Sequence, residues 1–201
     1  MLDGWLKPGL DPLLDRAAKW LVKQRIGADA VTLTGFAVGI AAAGAIALEA
    51  YILGLVLLLA SRIADGLDGA IARQTQKTDF GGYLDIVLDF AFYGAIPLGF
   101  ILADPSANAI AGAVLILSFY VNGASFLAYA VMAERRGLST EARGPKSIFF
   151  TTGLMEASET IAFFIAFCLL PGWFPALAYA FAGLCFYTAL SRIVLAGRAF
   201  R

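Results

Sequence analysis

The feature that most constrains this chain is a series of apolar stretches, each close to the length that crosses a lipid bilayer. A spanning α-helix needs about 20 mostly apolar residues. The chain has 201 residues, of which 60% are hydrophobic, and its mean hydropathy is +0.79. Soluble domains use only about 45–50% apolar residues. The sequence therefore predicts an all-α, polytopic membrane protein with six transmembrane helices. Their expected ranges are 31–48, 51–73, 82–102, 109–132, 147–170 and 173–194.

Residues 1–27 differ from these stretches because they mix charges with apolar side chains. From Leu10 onward the apolar positions recur three and four apart, as on one face of a helix. Trp5 and Trp20 are of the type that lies at the level of lipid headgroups. We expect residues 1–27 to form an interfacial amphipathic helix, with a solvated tail as the alternative. A six-helix bundle over 31–194 would complete a single integral-membrane domain covering 1–201.

The cationic residues predict an orientation. Lys and Arg precede the first expected span, follow the second and fourth, and close the chain. The opposite loops, near Glu49, Asp104 and Pro171, contain neither residue. Because cytoplasmic loops carry the excess of Lys and Arg, both termini and the loop between the second and third spans are expected on the cytoplasmic side of the membrane.

Four carboxylates lie near that cytoplasmic loop, at Asp65, Asp68, Asp85 and Asp89. Ionisable groups in spanning helices are costly and mark functional sites by default. Spacings of three and four place each pair on one helix face, so a hairpin of the two helices would bring all four together. Protons, a basic partner or metal ions would relieve their repulsion. Two nearby arginines cannot neutralise four anions, whereas two Mg²⁺ or Mn²⁺ ions would.

Histidine is absent from the sequence. This excludes Ser-His-Asp catalysis and histidine-based zinc sites. Any proton transfer must therefore involve a carboxylate, Lys, Tyr, Cys or a metal-bound water.

The region around the carboxylates resembles the signature of the CDP-alcohol phosphotransferase family. The chain has D-x-x-D-G-x-x-A-R and, further along, a glycine followed closely by D-x-x-x-D. The matching positions are Asp65, Asp68, Gly69, Ala72, Arg73, Gly82, Asp85 and Asp89. The resemblance implies metal-dependent transfer of a phosphatidyl group from CDP-diacylglycerol to an acceptor hydroxyl, with release of CMP, in phospholipid biosynthesis.

The resemblance also implies roles for individual residues. Asp65, Asp68 and Asp85 would hold the two metal ions, and Asp89 would contribute to the second ion and act as general base. The residues expected to contact the CDP portion are Asp29, Thr32, Asp68, Gly69, Arg73 and Thr78. Family members often carry Pro-Asn where this chain has Ala28-Asp29, and Thr32 is kept.

The acceptor alcohol does not follow from the sequence. Polar residues after the fourth expected span are candidates for its site, namely Arg143, Lys146, Glu156 and Glu159. The cations have an alternative explanation in the positive-inside rule. The alternative explanation for the two glutamates is an ion pair with Arg192 or Arg62. Phe90 stands where phosphatidylinositol-type members of the family usually carry Arg, which disfavours an inositol phosphate acceptor.

Two other functions are compatible with the same residues. A divalent-cation transporter would use the carboxylates for transport, but it requires polar residues along a path to the far side, and the fourth and sixth spans offer few. Within the enzyme class, a soluble CDP-alcohol donor with a lipid acceptor is the alternative to CDP-diacylglycerol. The expected partners are the lipid bilayer and these substrates, with no nucleic acid. The family resemblance is also compatible with a homodimer.

Overall fold

The computed structural model describes residues 3–137 and 157–200, and the side chains of residues 11–137 and 158–200. Both segments are helical, as predicted. The α-helices in them are α1 (Asp3–Lys23), α2 (Ala28–Ala47), α3 (Tyr51–Gln74), α4 (Asp79–Ala103), α5 (Pro105–Arg135), α6 (Ala157–Leu169) and α7 (Phe174–Ala199). A short 3₁₀ turn at Pro171–Trp173 separates α6 from α7.

Four segments of the described chain are long and apolar enough to cross a membrane. They are α2, α4, α5 and 171–199. With 24 residues, α3 also has the length, but its first turns are followed by Arg62, Asp65 and Asp68, which lower its apolar character. Only 157–169 of the fifth expected span lies within α6. The structure therefore supports several membrane-crossing helices, and the full set of six stays a prediction.

Helix α2 is the element against which α3 and α4 are arranged. It packs closely against both of them, whereas α3 and α4, which are described over their full lengths, have only slight contact with each other. Two glycines of α2 make this packing possible. A Cβ atom on Gly35 would lie 2.8 Å from the Cβ of Ala64, and one on Gly39 would lie 2.6 Å from the ring of Phe92. Helix backbones approach closely where such small residues lie.

Away from the carboxylates, aromatic rings fill the centre of the bundle. Phe100 of α4 stacks on Phe174 of α7, with ring centroids 4.7 Å apart. Phe163 of α6 stacks on Phe181 of α7 at 4.4 Å. These contacts join α4, α6 and α7 into one apolar core. Because a packed aromatic core leaves little room for movement, it provides a rigid support for the polar end of α3 and α4.

The N-terminal helix lies against the C-terminal half of α3. Leu14 of α1 packs at Gly66, and Ala18 is fully buried together with Ala70 and Ile71 of α3. Leu13 and Trp20, on a different strip of α1, remain exposed. Within the predicted range 1–27 the structure has a helix over Asp3–Lys23, and its amphipathic, interfacial character stays a prediction.

Candidate active site

The four carboxylates line one cleft between α3 and α4. Asp65 and Asp68 come from α3, and Asp85 and Asp89 come from α4. The space within the cleft is about 230 Å³ and is continuous with solvent. Its remaining lining residues are Thr32, Gly35, Phe36, Ser61, Arg62 and Leu88. The predicted convergence of the two pairs is therefore observed. However, α2 also forms part of the cleft wall, and it packs against α3 and α4 more extensively than they pack against each other.

Three of these carboxylates form a compact group. Asp65, Asp68 and Asp85 each offer a carboxylate oxygen, and these oxygens all lie within 4.8 Å of one another. Carboxylate oxygens are the hard ligands that Mg²⁺ and Mn²⁺ prefer. The chemistry and the spacing of this group therefore fit a divalent cation.

The fourth carboxylate, Asp89, pairs with an arginine. Nη1 of Arg62 donates a hydrogen bond of 2.8 Å to Oδ1 of Asp89 and lies 3.3 Å from Oδ1 of Asp65. The guanidinium of Arg62 stacks over the ring of Phe92, with its central carbon 3.8 Å from the ring centroid. Arg62 therefore supplies positive charge from inside the cleft to one carboxylate of each helix.

Asp68 is fixed by a contact from α2. Oγ1 of Thr32 donates a hydrogen bond of 2.6 Å to Oδ2 of Asp68, whose exposed fraction is only 6%. Thr32 reaches Asp68 because Thr32 and Gly35, one helical turn apart, lie on the face of α2 that lines the cleft. The sequence indicated Thr32 and Asp68 separately as CDP contacts, whereas the structure shows that they contact each other.

The other residues expected to contact CDP, namely Asp29, Gly69, Arg73 and Thr78, are not among the residues that line the cleft. The hydroxyl of Thr78 caps α4 by accepting a 3.0 Å hydrogen bond from the backbone N–H of Gly81. Asp29 is close to the same turn, because a Cβ atom on Gly81 would lie 3.1 Å from Oδ1 of Asp29. A Cβ atom on Gly69 would lie 3.6 Å from Nη1 of Arg73. The structure thus brings Asp29 together with Thr78, and Gly69 together with Arg73.

Arg73 also contacts the N-terminal helix. Its Nη2 lies 3.6 Å from Oδ1 of Asp15, and both side chains are about half exposed. The side chain of Gln74 adds a 3.1 Å hydrogen bond to the backbone oxygen of Asp15. These contacts of α1 with the end of α3 were not predicted, because sequence spacing gives no indication of which helix lies beside Arg73.

Most of the predicted acceptor residues cannot be placed. Arg143, Lys146 and Glu156 lie outside the described residues, and Glu159 lies in the first turn of α6. Arg192, a suggested partner of the glutamates, contacts α5. Its Nη1 donates to both the backbone and the side-chain oxygen of Asn122 at 3.0 Å and to Oγ of Ser125 at 2.7 Å.

Some lining residues were missed by the sequence analysis. Ser61 and Arg62 precede Asp65 by four and three positions, so they lie on the same face of α3. Helical spacing alone would have placed both residues in the cleft. Phe36 and Leu88 carried no comparable signal, because apolar side chains in an apolar helix do not distinguish a cleft from a lipid-facing surface.

The sequence was compared with known proteins and families. A model of the CDP-alcohol phosphatidyltransferase family matches residues 25–192. The chain belongs to this family. Membership confirms the predicted family and the predicted class of enzyme, a phosphotransferase.

This CDP-alcohol phosphatidyltransferase has relatives in bacteria and archaea. It is 45% identical over 193 residues to the inner membrane protein YnjF of Escherichia coli, covering 96% of this chain and 94% of the relative. It is 31% identical over 191 residues to archaetidylinositol phosphate synthase of Methanothermobacter thermautotrophicus, covering 92% and 87%.

Solved structures share the fold of this CDP-alcohol phosphatidyltransferase. Phosphatidylinositol phosphate synthase of Mycobacterium tuberculosis with CDP-DAG bound has a TM-score of 0.72 at 20% identity, over 90% of this chain and 92% of the other. The same synthase in complex with manganese and citrate has a TM-score of 0.71 at 21% identity, over 90% and 87%.

Proposed function

We propose that this protein transfers a phosphatidyl group from CDP-diacylglycerol to an acceptor hydroxyl and releases CMP in a reaction that requires divalent cations. The observation that carries the proposal is the group of Asp65, Asp68 and Asp85, whose carboxylate oxygens lie within 4.8 Å in the cleft of a family member. The structure of the related Mycobacterium tuberculosis synthase with CDP-DAG bound supports this donor.

The aspartates have separate roles in this proposal. Asp65, Asp68 and Asp85 hold Mg²⁺ or Mn²⁺, and Asp89 contributes to a second ion. When bound, such ions neutralise charge on the diphosphate and on the leaving group. The structure of the related synthase in complex with manganese supports this choice of cation.

The donor is oriented by residues of α2, α3 and the turn before α4. We assign Asp29, Thr32, Gly69, Arg73 and Thr78 to the CDP portion, and Asp68 contacts it as well. Gly69 lets the nucleotide lie close to the backbone of α3. The guanidinium of Arg73 binds phosphate oxygens through charge-assisted hydrogen bonds, for which its half-exposed position is suitable.

Asp89 serves as the general base. The acceptor oxygen forms a bond to the phosphorus of the phosphatidyl group while the bond from that phosphorus to CMP breaks. The proton of the acceptor hydroxyl passes to a carboxylate oxygen of Asp89. With no histidine in the sequence, a carboxylate beside the reacting hydroxyl is the natural proton acceptor. We infer a single displacement, in which the acceptor oxygen attacks the phosphorus directly and no covalent enzyme intermediate forms.

The membrane arrangement is part of the proposal. The proposed domain has six spanning helices. They are the four apolar segments, α3, and the predicted fifth span, of which α6 is the described part. Leu13 and Trp20 of α1 are exposed by 62% and 61% and lie seven residues apart, on one face. Such an apolar strip suits a helix at the membrane surface. The distribution of Lys and Arg supports cytoplasmic termini and a cytoplasmic cleft in the inner membrane.

The acceptor remains to be found by experiment. The archaeal relative is an archaetidylinositol phosphate synthase and the mycobacterial protein is a phosphatidylinositol phosphate synthase, so an inositol phosphate is the first compound to test. Phe90 argues against it, because it stands where inositol-type members usually carry Arg. Arg143, Lys146, Glu156 and Glu159 stay candidates for the acceptor site, and a homodimer stays a prediction.

The proposal is tested by measuring CMP release from CDP-diacylglycerol by the purified full chain. Mg²⁺ or Mn²⁺ is added with a panel of acceptors that includes inositol phosphate, glycerol 3-phosphate, serine and inositol, and CDP-choline with diacylglycerol tests the alternative donor. Asp89→Asn is expected to abolish release while donor binding remains detectable. Full activity of this variant, or activity unchanged by a chelator, would contradict the proposal.

A further inference from the structure

We propose that Arg62 is a positioning residue that holds Asp89 by one carboxylate oxygen and leaves the other for the acceptor proton. This inference rests on the proposed function, because it concerns how the general base is oriented. The family signature does not include position 62, which lies three residues before the first aspartate of the motif.

The geometry separates Asp89 from the other carboxylates. Asp65, Asp68 and Asp85 form the group within 4.8 Å, whereas Oδ1 of Asp89 accepts the 2.8 Å hydrogen bond from Arg62. Oδ1 uses one of its lone pairs in this bond, whereas Oδ2 accepts no hydrogen bond from the described residues, so Oδ2 is the oxygen better placed to take a proton or contact a cation. A single short bond from a charged donor also fixes the orientation of the carboxylate.

Arg62 is itself held in place. Its side chain is only 9% exposed, and its guanidinium stacks 3.8 Å above the ring of Phe92. Nη2 lies 3.3 Å from Oγ of Ser61, and the buried Nε has no hydrogen-bond partner among the described residues. A flat guanidinium clamped between a ring and two carboxylates cannot be replaced by the ammonium group of lysine without loss of geometry.

The charge of Arg62 has a second, measurable effect. Nη1 also lies 3.3 Å from Oδ1 of Asp65, which belongs to the group that fits a cation. A positive charge next to a carboxylate weakens the binding of other cations to it. Removal of the Arg62 charge should therefore strengthen Mn²⁺ binding. If Arg62 also positions Asp89, turnover should fall in the same variant.

The experiment uses the full chain in detergent with Arg62→Gln and Arg62→Lys. Mn²⁺ affinity is measured from the EPR signal of the free ion, and turnover is measured as CMP release with the acceptor that serves the unsubstituted protein. Arg62→Gln is expected to lower kcat by about one hundredfold, which is the lower end of the range for loss of a general base. The KM for CDP-diacylglycerol is expected to stay unchanged. Its Mn²⁺ affinity is expected to rise by roughly tenfold. Arg62→Lys keeps the charge, so its Mn²⁺ affinity stays unchanged while kcat still falls.

Arg192→Gln is the matched control for the affinity measurement. Arg192 is also an arginine within a bundle helix, but its described acceptors are the neutral groups of Asn122 and Ser125. Its substitution should leave Mn²⁺ affinity unchanged.

The possible outcomes separate this inference from the proposed function. If Arg62→Gln keeps full turnover while Asp89→Asn is inactive, Arg62 does not position the base, and the proposed function stands. If Arg62→Gln binds Mn²⁺ more weakly and also has a lower melting temperature, the role of Arg62 is only structural and the inference is overturned. If Asp89→Asn is itself fully active, the proposed function fails first.

Discussion

The hydrogen bond from Thr32 to Asp68 allows a sharp test of how the cleft works. Valine has nearly the same shape as threonine but lacks the hydroxyl, so Thr32→Val removes the 2.6 Å bond and leaves the packing of α2 in place. Asp68 is only 6% exposed, so water has limited access to replace the lost donor. The substitution therefore removes the restraint on one carboxylate oxygen, together with the hydroxyl that is proposed to contact CDP.

The expected magnitude follows from the charge of the acceptor. A hydrogen bond to a charged group contributes about 1.5–3 kcal/mol. If that contribution is lost from the transition state, kcat/KM falls by roughly tenfold to one hundredfold. Thr32→Ser keeps the hydroxyl, and we expect it to retain most of the activity.

Thr34→Val is a matched control on the same helix. The hydroxyl of Thr34 is exposed and donates 2.7 Å to the backbone oxygen of Ala30, away from the cleft. CMP release is measured over ranges of Mn²⁺ and CDP-diacylglycerol for Thr32→Val, Thr32→Ser and this control. Because Asp68 is proposed to hold the cation, the loss in Thr32→Val should alter the dependence on Mn²⁺. An effect confined to KM for the donor, or activity equal to that of Thr34→Val, would refute the reasoning.

Two further predictions concern packing and the N-terminal helix. Gly39→Ala would place a Cβ atom 2.6 Å from the ring of Phe92, so we expect overpacking of about 1–3 kcal/mol and a lower melting temperature in detergent. Gly44→Ala is its control, with no atom within 4 Å of the new Cβ, and an equal loss there would contradict the explanation. Asp15→Asn removes a half-exposed pair with Arg73 at 3.6 Å, and since exposed pairs contribute little, kcat/KM should change less than about threefold. A much larger decrease would show that α1 holds Arg73 for catalysis.

The sequence by itself predicted several of the helices and the helix face that each pair of aspartates shares. Apolar length predicted α2, α4, α5 and α7, because a bilayer requires long apolar helices whose backbone groups are all hydrogen-bonded internally. The spacing of the aspartates along α3 and α4 predicted that each pair shares a face. These properties depend on residues close together in the chain, so local rules are sufficient to predict them.

Only the tertiary structure decided which polar groups contact each other. Thr32 and Asp68 are 36 positions apart, and Arg62 and Asp89 are 27 positions apart. Helical periodicity assigns each of these residues to a face but does not specify the neighbouring helix. That choice came from the packing of α2 against both α3 and α4, which depends on the close fit of Gly35 and Gly39. The grouping of three carboxylates, with Arg62 linking the fourth to one of the three, is therefore a consequence of helix packing, not of the spacing in the motif.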